Sequence, residues 1–83
     1  MKITKEYIEN LMSQSEFQVT KMFDKTTVVA CRLPNGFTIV ESAGCIDPAN
    51  YDIDLGVCIC KKRIENRLYE LEGYKAHQPQ EVL

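Results

Sequence analysis

The chain has 83 residues, a net charge of −2 and a pI near 5.3. That is enough for one domain with one modest core, without the surplus of Lys and Arg that a general nucleic-acid backbone binder uses to displace counterions. A hydrophobic fraction of 45% beside 27% charged residues excludes a disordered chain, and no apolar run approaches the roughly 18 residues of a membrane span.

In chain order, Thr4 reads as a helix N-cap, with Ile3 and Ile8 at the spacing of a hydrophobic staple. Tyr7, Ile8, Leu11 and Met12 form one apolar stripe, so a short helix is expected over Lys5 to Ser13. The period changes to two from Glu16 to Phe23, with Phe17, Val19 and Phe23 on one side and Gln18, Thr20 and Met22 on the other. Asp24-Lys25 reads as a tight turn, and Thr26 to Leu33 is rich in the β-branched residues that suit a pleated surface. Leu33-Pro34-Asn35-Gly36 then closes a hairpin, because Pro34 presets a turn φ and Gly36 accepts the left-handed conformation. A third strand is expected from Phe37 to Ala43, with Glu41 as the odd residue on its apolar face.

Asp47-Pro48 reads as cap and first residue of a short helical turn. Asp52 or Asp54 caps a long helix to about Glu72, with Ile53, Val57, Cys60, Ile64, Leu68 and Leu71 at spacings of three and four and Gly73 as its stop. The expected fold is α+β in the order α-β-β-β-α: a short N-terminal helix, a three-stranded antiparallel sheet and a long C-terminal helix packed on the sheet. Residues 1–74 form the domain and 75–83 a loose C-terminal tail. A helix of about 20 residues is roughly 30 Å long against about 23 Å for a strand of seven. Its overhang would leave Leu68, Tyr69, Leu71 and Tyr74 uncovered in a monomer, so a homo-oligomer, a dimer or larger ring, is expected.

Four cysteines, Cys31, Cys45, Cys58 and Cys60, fit no zinc spacing, since Cys58 and Cys60 would point about 200° apart on a helix. The start MKITKEYIEN has no signal-peptide core, and in a cytoplasmic protein thiols stay reduced, so buried structural thiols are expected. The single histidine, His77, falls in the expected tail, and the folded part offers no Ser-His-Asp set. No enzyme activity, cofactor or metal is therefore expected. Asp47, Asp52 and Asp54 gather with Glu41 near the start of the long helix, where capping accounts for them more simply than a cation site. Those carboxylates would repel a phosphate from that helix end, which leaves Arg32 and Arg67 as anion partners. Arg67 flanks the buried stripe, as a snorkelling side chain or as a guanidinium held for phosphate; Lys61, Lys62 and Arg63 include solvent-facing groups. Phe37, Tyr51, Tyr69 and Tyr74 are packing residues or stacking platforms.

LPNGF followed by ESA, then DPANYD, Gly56 one turn into the helix and LEGY at 71–74 resemble a group of small tailed-phage and prophage proteins, a family of unknown function. The likeness spans Thr26 to Tyr74 and implies a compact α+β domain. The same layout is similar to the Thoeris anti-defence proteins, phage sponges that sequester cyclic ADP-ribose isomers, with relatives linked to cyclic oligonucleotides. That resemblance implies a non-enzymatic phage accessory protein in the cytoplasm of the infected bacterial host. Its partner would be a small nucleotide-derived signal molecule, held where copies meet. From side-chain chemistry, Phe37 or Tyr69 would stack on the ligand, Asn50 would bond a base or ribose unless it is a turn residue, and Arg32 and Arg67 would meet phosphates. The alternative is a protein-interaction module that binds and inhibits a host protein through a sheet edge or helix face.

Overall fold

The computed structural model describes residues 2–77. Its elements are α1 (Lys5–Ser13), β1 (Glu16–Met22), β2 (Thr26–Arg32), β3 (Thr38–Gly44), a 3-10 turn (Pro48–Asn50) and α2 (Ile53–Ala76). The strands form one antiparallel sheet in the order β1-β2-β3, so the α+β fold class and the order of elements are as expected. Among the described residues no helix is long and apolar enough to cross a membrane.

Local chemistry accounts for most boundaries. Thr4 Oγ1 accepts a hydrogen bond from the Tyr7 N–H (3.1 Å) and so starts α1. Asp47 accepts from the Ala49 N–H (2.9 Å) to cap the 3-10 turn, and Asp52 from the Leu55 N–H (3.2 Å) to cap α2. In the β2–β3 turn Gly36 takes φ 92° while its N–H donates to the Leu33 carbonyl (2.8 Å). The β1–β2 turn departs from expectation. Its two central residues are Phe23 and Asp24, with φ 54° and 57°, rather than Asp24-Lys25. Phe23, Asp24 and Lys25 link the strands, closed by the Lys25 N–H donating to the Met22 carbonyl (3.2 Å); two successive positive φ values match the right-handed twist of the flanking strands, which takes Phe23 out of β1 and leaves it 85% exposed.

Strand alternation puts Phe17 and Val19, Thr27, Val29 and Cys31, and Ile39, Glu41 and Ala43 on one face. There α2 lies over β2 and β3, burying Val29, Cys31, Ile39, Cys60, Ile64 and Leu68. The close approach is made at Gly56: a Cβ built there would lie 2.8 Å from Thr27 Cβ, well inside contact distance. Thr27 is fully buried, its hydroxyl hydrogen-bonded to the Tyr51 hydroxyl (2.6 Å) and its carbonyl accepting from the Cys60 thiol (3.7 Å). Ile53, expected on the buried stripe, is exposed, because Gly56 rather than a side chain makes the first contact with the sheet.

Two further expectations are corrected. The helix does not stop at Gly73 but continues to Ala76, because an interior glycine costs only about 1 kcal/mol, and the end is secured by His77, whose Nδ1 lies 2.8 Å from the Gly73 carbonyl. The tail expected from Lys75 is helical as far as Ala76, and its remainder beyond His77 lies outside the described residues. The overhanging end of α2 is also not bare. Here α1 packs against it, Ile8 and Leu68 are fully buried, Tyr69 and Leu71 are half-buried, and the Tyr7 hydroxyl donates to Glu72 Oε1 (2.6 Å). Of the four residues expected to be uncovered, only Tyr74 is largely exposed.

Two measurements check this packing. Gly56→Ala is expected to lower the unfolding free energy by about 1–3 kcal/mol through overpacking against Thr27. Gly73→Ala, facing open space in the same helix, is expected to raise it by roughly 0.5–1 kcal/mol. Urea midpoints moving in the same direction for both would contradict the contact. The second concerns pH. The hydrogen bond to Glu72, then burial and the Glu72 charge, hold the Tyr7 hydroxyl above its ordinary value of 10.0. The folded state thus favours the neutral phenol, whose contribution is complete below that value and is lost as pH rises through the raised one. Thermal scans in mildly and strongly alkaline buffer should show a fall in wild-type Tm that is smaller in Tyr7→Phe; equal falls would refute the linkage.

Candidate functional site

Among the described residues, the sheet face opposite α2 carries no covering element. Alternation places Glu16, Gln18, Thr20 and Met22 of β1, Thr26, Val28, Ala30 and Arg32 of β2, and Thr38, Val40, Ser42 and Gly44 of β3 on this outer face. Side chains along β1 and β2 here are short or polar, and they leave two adjoining grooves. One, of about 240 Å³, is lined by Glu16, Gln18, Ala30, Arg32 and Thr38 among others. The other, of about 370 Å³, shares Gln18 and Ala30 and continues along Thr20 and Val28.

Arg32 is the cation of this groove. Glu16, opposite it in the ladder, accepts from Arg32 Nε (2.9 Å) and from Nη2 through the same carboxylate oxygen, Oε1. Both side chains are more than half exposed, and an exposed pair of this kind contributes only about 0–1 kcal/mol. A guanidinium has five N–H donors in a planar fork, so Glu16 orients Arg32 and leaves Nη1 free of it. The arrangement is suited to an anion that brings two acceptors, with Gln18 and Thr38 beside it as neutral hydrogen-bonding groups.

The sequence-designated residues separate within one chain. Phe37, about half exposed, immediately precedes β3, at the same end of the sheet as Arg32. Asn50 is at the opposite end, in the 3-10 turn, where it borders a small cavity of about 70 Å³ with Tyr51, Asp52 and Gly56. Arg67 projects from α2 to β3, its Nη1 3.5 Å from Glu41 Oε2. That pairing explains the carboxylate on the apolar face. Tyr69 packs half-buried against the core on the side covered by α2. Neither outer groove nor the cavity at Asn50 joins all five, and Arg32 alone of them lines the outer grooves. Glu16, Gln18 and Thr38 were not singled out in the sequence; only the strand register places them beside Arg32.

Three more cations of α2 also have partners. Lys61 Nζ lies 4.8 Å from the centroid of the Phe17 ring, Lys62 pairs with Glu65 (2.9 Å), and Arg63 Nη1 donates to the Ser42 carbonyl. All four cysteines are free, but only Cys31 and Cys60 are buried; Cys45 is half-buried and Cys58 exposed, contrary to the expectation of four buried thiols. Burial raises the thiol pKa of Cys31 and Cys60, which keeps both protonated and weakly nucleophilic. Among the described residues no group of three or more His, Cys, Asp or Glu side chains is placed to hold a metal ion.

Comparison with known proteins adds one finding. The model of the Phage protein (N4 Gp49/phage Sf6 gene 66) family matches residues 3–79. No curated protein and no solved structure matches the chain. With that match running across nearly the whole sequence, over a fold whose LPNG turn, Asp47 and Asp52 caps and Gly56 contact each have a structural purpose, the chain belongs to the Phage protein (N4 Gp49/phage Sf6 gene 66) family.

Proposed function

We propose that this phage protein is a non-enzymatic binder that sequesters a nucleotide-derived signal, a cyclic ADP-ribose isomer or a cyclic oligonucleotide. It would thereby counter anti-phage defence in the cytoplasm of the infected bacterium. The observation that carries the reading is the outer groove, where Arg32 is oriented by Glu16 yet keeps donors free, with Gln18 and Thr38 alongside. An oriented guanidinium between neutral polar groups is the chemistry that recognises a phosphodiester. The ligand class comes from the resemblance to the Thoeris anti-defence sponges. Sequestration requires affinity without turnover, and the separation of Phe37, Asn50, Arg67 and Tyr69 within one chain favours sites completed where copies meet.

A second reading rests on a different place. Ile46, 97% exposed, and the exposed Ile53 and Leu55 gather near the N-terminal end of α2, an apolar surface of the kind that contacts a protein partner. On this reading the chain inhibits a host protein.

One experiment separates the two. The purified protein is melted with each of a panel of cyclic ADP-ribose isomers and cyclic oligonucleotides. Saturation at 100 times Kd is expected to add about 2.7 kcal/mol of stability, or roughly 10–20 °C in Tm for a domain of this size. Arg32→Ala is expected to weaken that ligand about 10- to 100-fold, as for loss of a charge-assisted hydrogen bond. Ligand recovered intact after heating supports sequestration, whereas chemically altered ligand means an enzyme. No shift with any signal, together with a host protein whose capture is abolished by Ile46→Asp, would replace the first reading with the second.

A further inference from the structure

The two edges of the sheet are not equivalent. In the β2–β3 ladder the Leu33 N–H donates to the Phe37 carbonyl (2.8 Å), and the Cys45 N–H donates to the Lys25 carbonyl (2.9 Å). Hydrogen-bonded pairs alternate along an antiparallel ladder. The odd-numbered residues of β2 therefore bond to β3 and the even-numbered ones to β1. Carried one strand further, Glu16, Gln18, Thr20 and Met22 bond inward to β2, while the N–H and C=O groups of Phe17, Val19 and Lys21 point away from the sheet. On β3 the outward groups belong to Thr38, Val40, Ser42 and Gly44, and there Arg63 reaches across from α2 to the Ser42 carbonyl. A charged side chain seated on an edge strand is a recognised obstacle to strand addition. The β3 edge is obstructed in this way, whereas among the described residues the outward backbone groups of β1 meet no partner.

A second, independent feature lies beside that open edge. Phe23 sits at φ 54° with its ring 85% exposed. A bulky residue in the left-handed region is strained, and such turn positions ordinarily carry Asn, Asp or Gly. Within one chain the ring has little packing to offset either its strain or its exposure.

We propose that two copies of the chain join antiparallel through β1, in the register centred on Val19, so that the outer groove at Arg32 is completed by the second copy. That register opposes all seven residues of β1 with all seven of the second strand: Glu16 with Met22, Phe17 with Lys21, Gln18 with Thr20, and Val19 with itself. No like charges face each other, which would be destabilising, and every outward N–H and C=O of Phe17, Val19 and Lys21 gains a partner. Phe23, just past the end of β1, then lies beside the end of the second copy's β1 at Glu16 and Phe17, which brings the exposed residue to the contact between copies. This gives the exposed aromatic an occupant. The long helix does not obstruct the arrangement. Because α2 sits over β2 and β3, the two copies of it would be four strand spacings apart, about 19 Å, against a helix diameter of about 10 Å.

The consequence for the outer face is a continuous six-stranded sheet. The side of the groove beside Glu16 and Gln18, open to solvent in one chain, receives the second copy's Met22 and Thr20. A ligand at Arg32 would thus touch both copies, and the two grooves are related by the two-fold axis. The pairing itself stands on the backbone geometry and on Phe23; only its role in holding a ligand rests on the proposed function.

The test uses the full chain. Sedimentation velocity at micromolar concentration should give a dimer for the wild type and a monomer for Val19→Pro. Proline at 19 removes an N–H that points out of the sheet, leaving the ladder to β2 intact, and its folding is checked by far-UV circular dichroism. Should Val19→Pro not fold, Phe23→Gly serves instead: relief of the positive φ should raise the Tm of dilute protein, while the dimer fraction falls. Register is read by cross-linking in a Cys45→Ser, Cys58→Ser background. Val19→Cys pairs face themselves at a Cα separation of about 5.5 Å, within disulfide range, and should oxidise to a covalent dimer, whereas Phe17→Cys should not. A monomeric wild type, or a Val19→Pro dimer equal to wild type, overturns the pairing; cross-linking at 17 but not 19 overturns the register. Cyclic di-AMP and cyclic ADP-ribose serve as probes for the ligand role. Binding to the wild type that is lost in folded Val19→Pro supports the shared groove, and equal binding to the monomeric variant overturns it. A wild type that dimerises through Val19 and binds neither probe leaves the pairing standing and counts against the shared ligand groove.

Discussion

The contact between Gly56 and Thr27 is the constraint on which the arrangement depends. With no side chain at 56, the first turns of α2 come down onto the start of β2, and Thr27 answers with every polar group it has. Its hydroxyl meets Tyr51 and its carbonyl takes the Cys60 thiol. A threonine buried completely would otherwise carry an unsatisfied hydroxyl, costing about 1–3 kcal/mol. Once α2 is anchored there, its buried positions Cys60, Ile64 and Leu68 follow at intervals of four along β2 and β3. The other helix, α1, receives the part that extends past the sheet.

Among the described residues two α-helices are available to cover one three-stranded sheet, and both are committed to the same side. The outer face and the β1 edge are what remains. Their composition suits that fate: the outer positions of β1 and β2 are mostly polar or small, and the larger apolar residues of these two strands point inward. Exceptions to that division are therefore informative. Phe23 and Ile46 are large, apolar and almost fully exposed, and neither is needed to stabilise the single chain as it stands.

Electrostatics is similarly divided. Arg63, Arg67 and Lys62 are engaged along α2 by the Ser42 carbonyl, Glu41 and Glu65, and the first two tie the helix to β3. Arg32 is on the opposite side of the sheet, paired with a carboxylate that is itself well exposed. Exposed pairs of this kind hold geometry without much energy, so parting Arg32 from Glu16 costs little. Arg67 is less available, since releasing Glu41 would leave that carboxylate on the apolar face without its cation.

What the sequence determined by itself is the set of elements and their order, because those follow from interactions within a few residues. Examples are the Thr4, Asp47 and Asp52 caps, the Gly36 turn, the period-two strands and the apolar spacing of α2. It also determined family membership, which is carried by motifs in order along the chain. Where local signals were weak, the tertiary structure decided. Phe23 leaves its strand because strand twist favours a turn with positive φ at both Phe23 and Asp24, and Gly73 remains helical because a single glycine is a small cost against the continued helix beyond it. Which of the candidate residues share a surface was likewise a tertiary matter. Arg32, Phe37, Asn50, Arg67 and Tyr69 are chemically apt for one ligand when read in a line, but strand alternation and register send them to different faces and ends. The same alternation brings Glu16, Gln18 and Thr38 to Arg32, neighbours separated in the chain and joined only through the sheet.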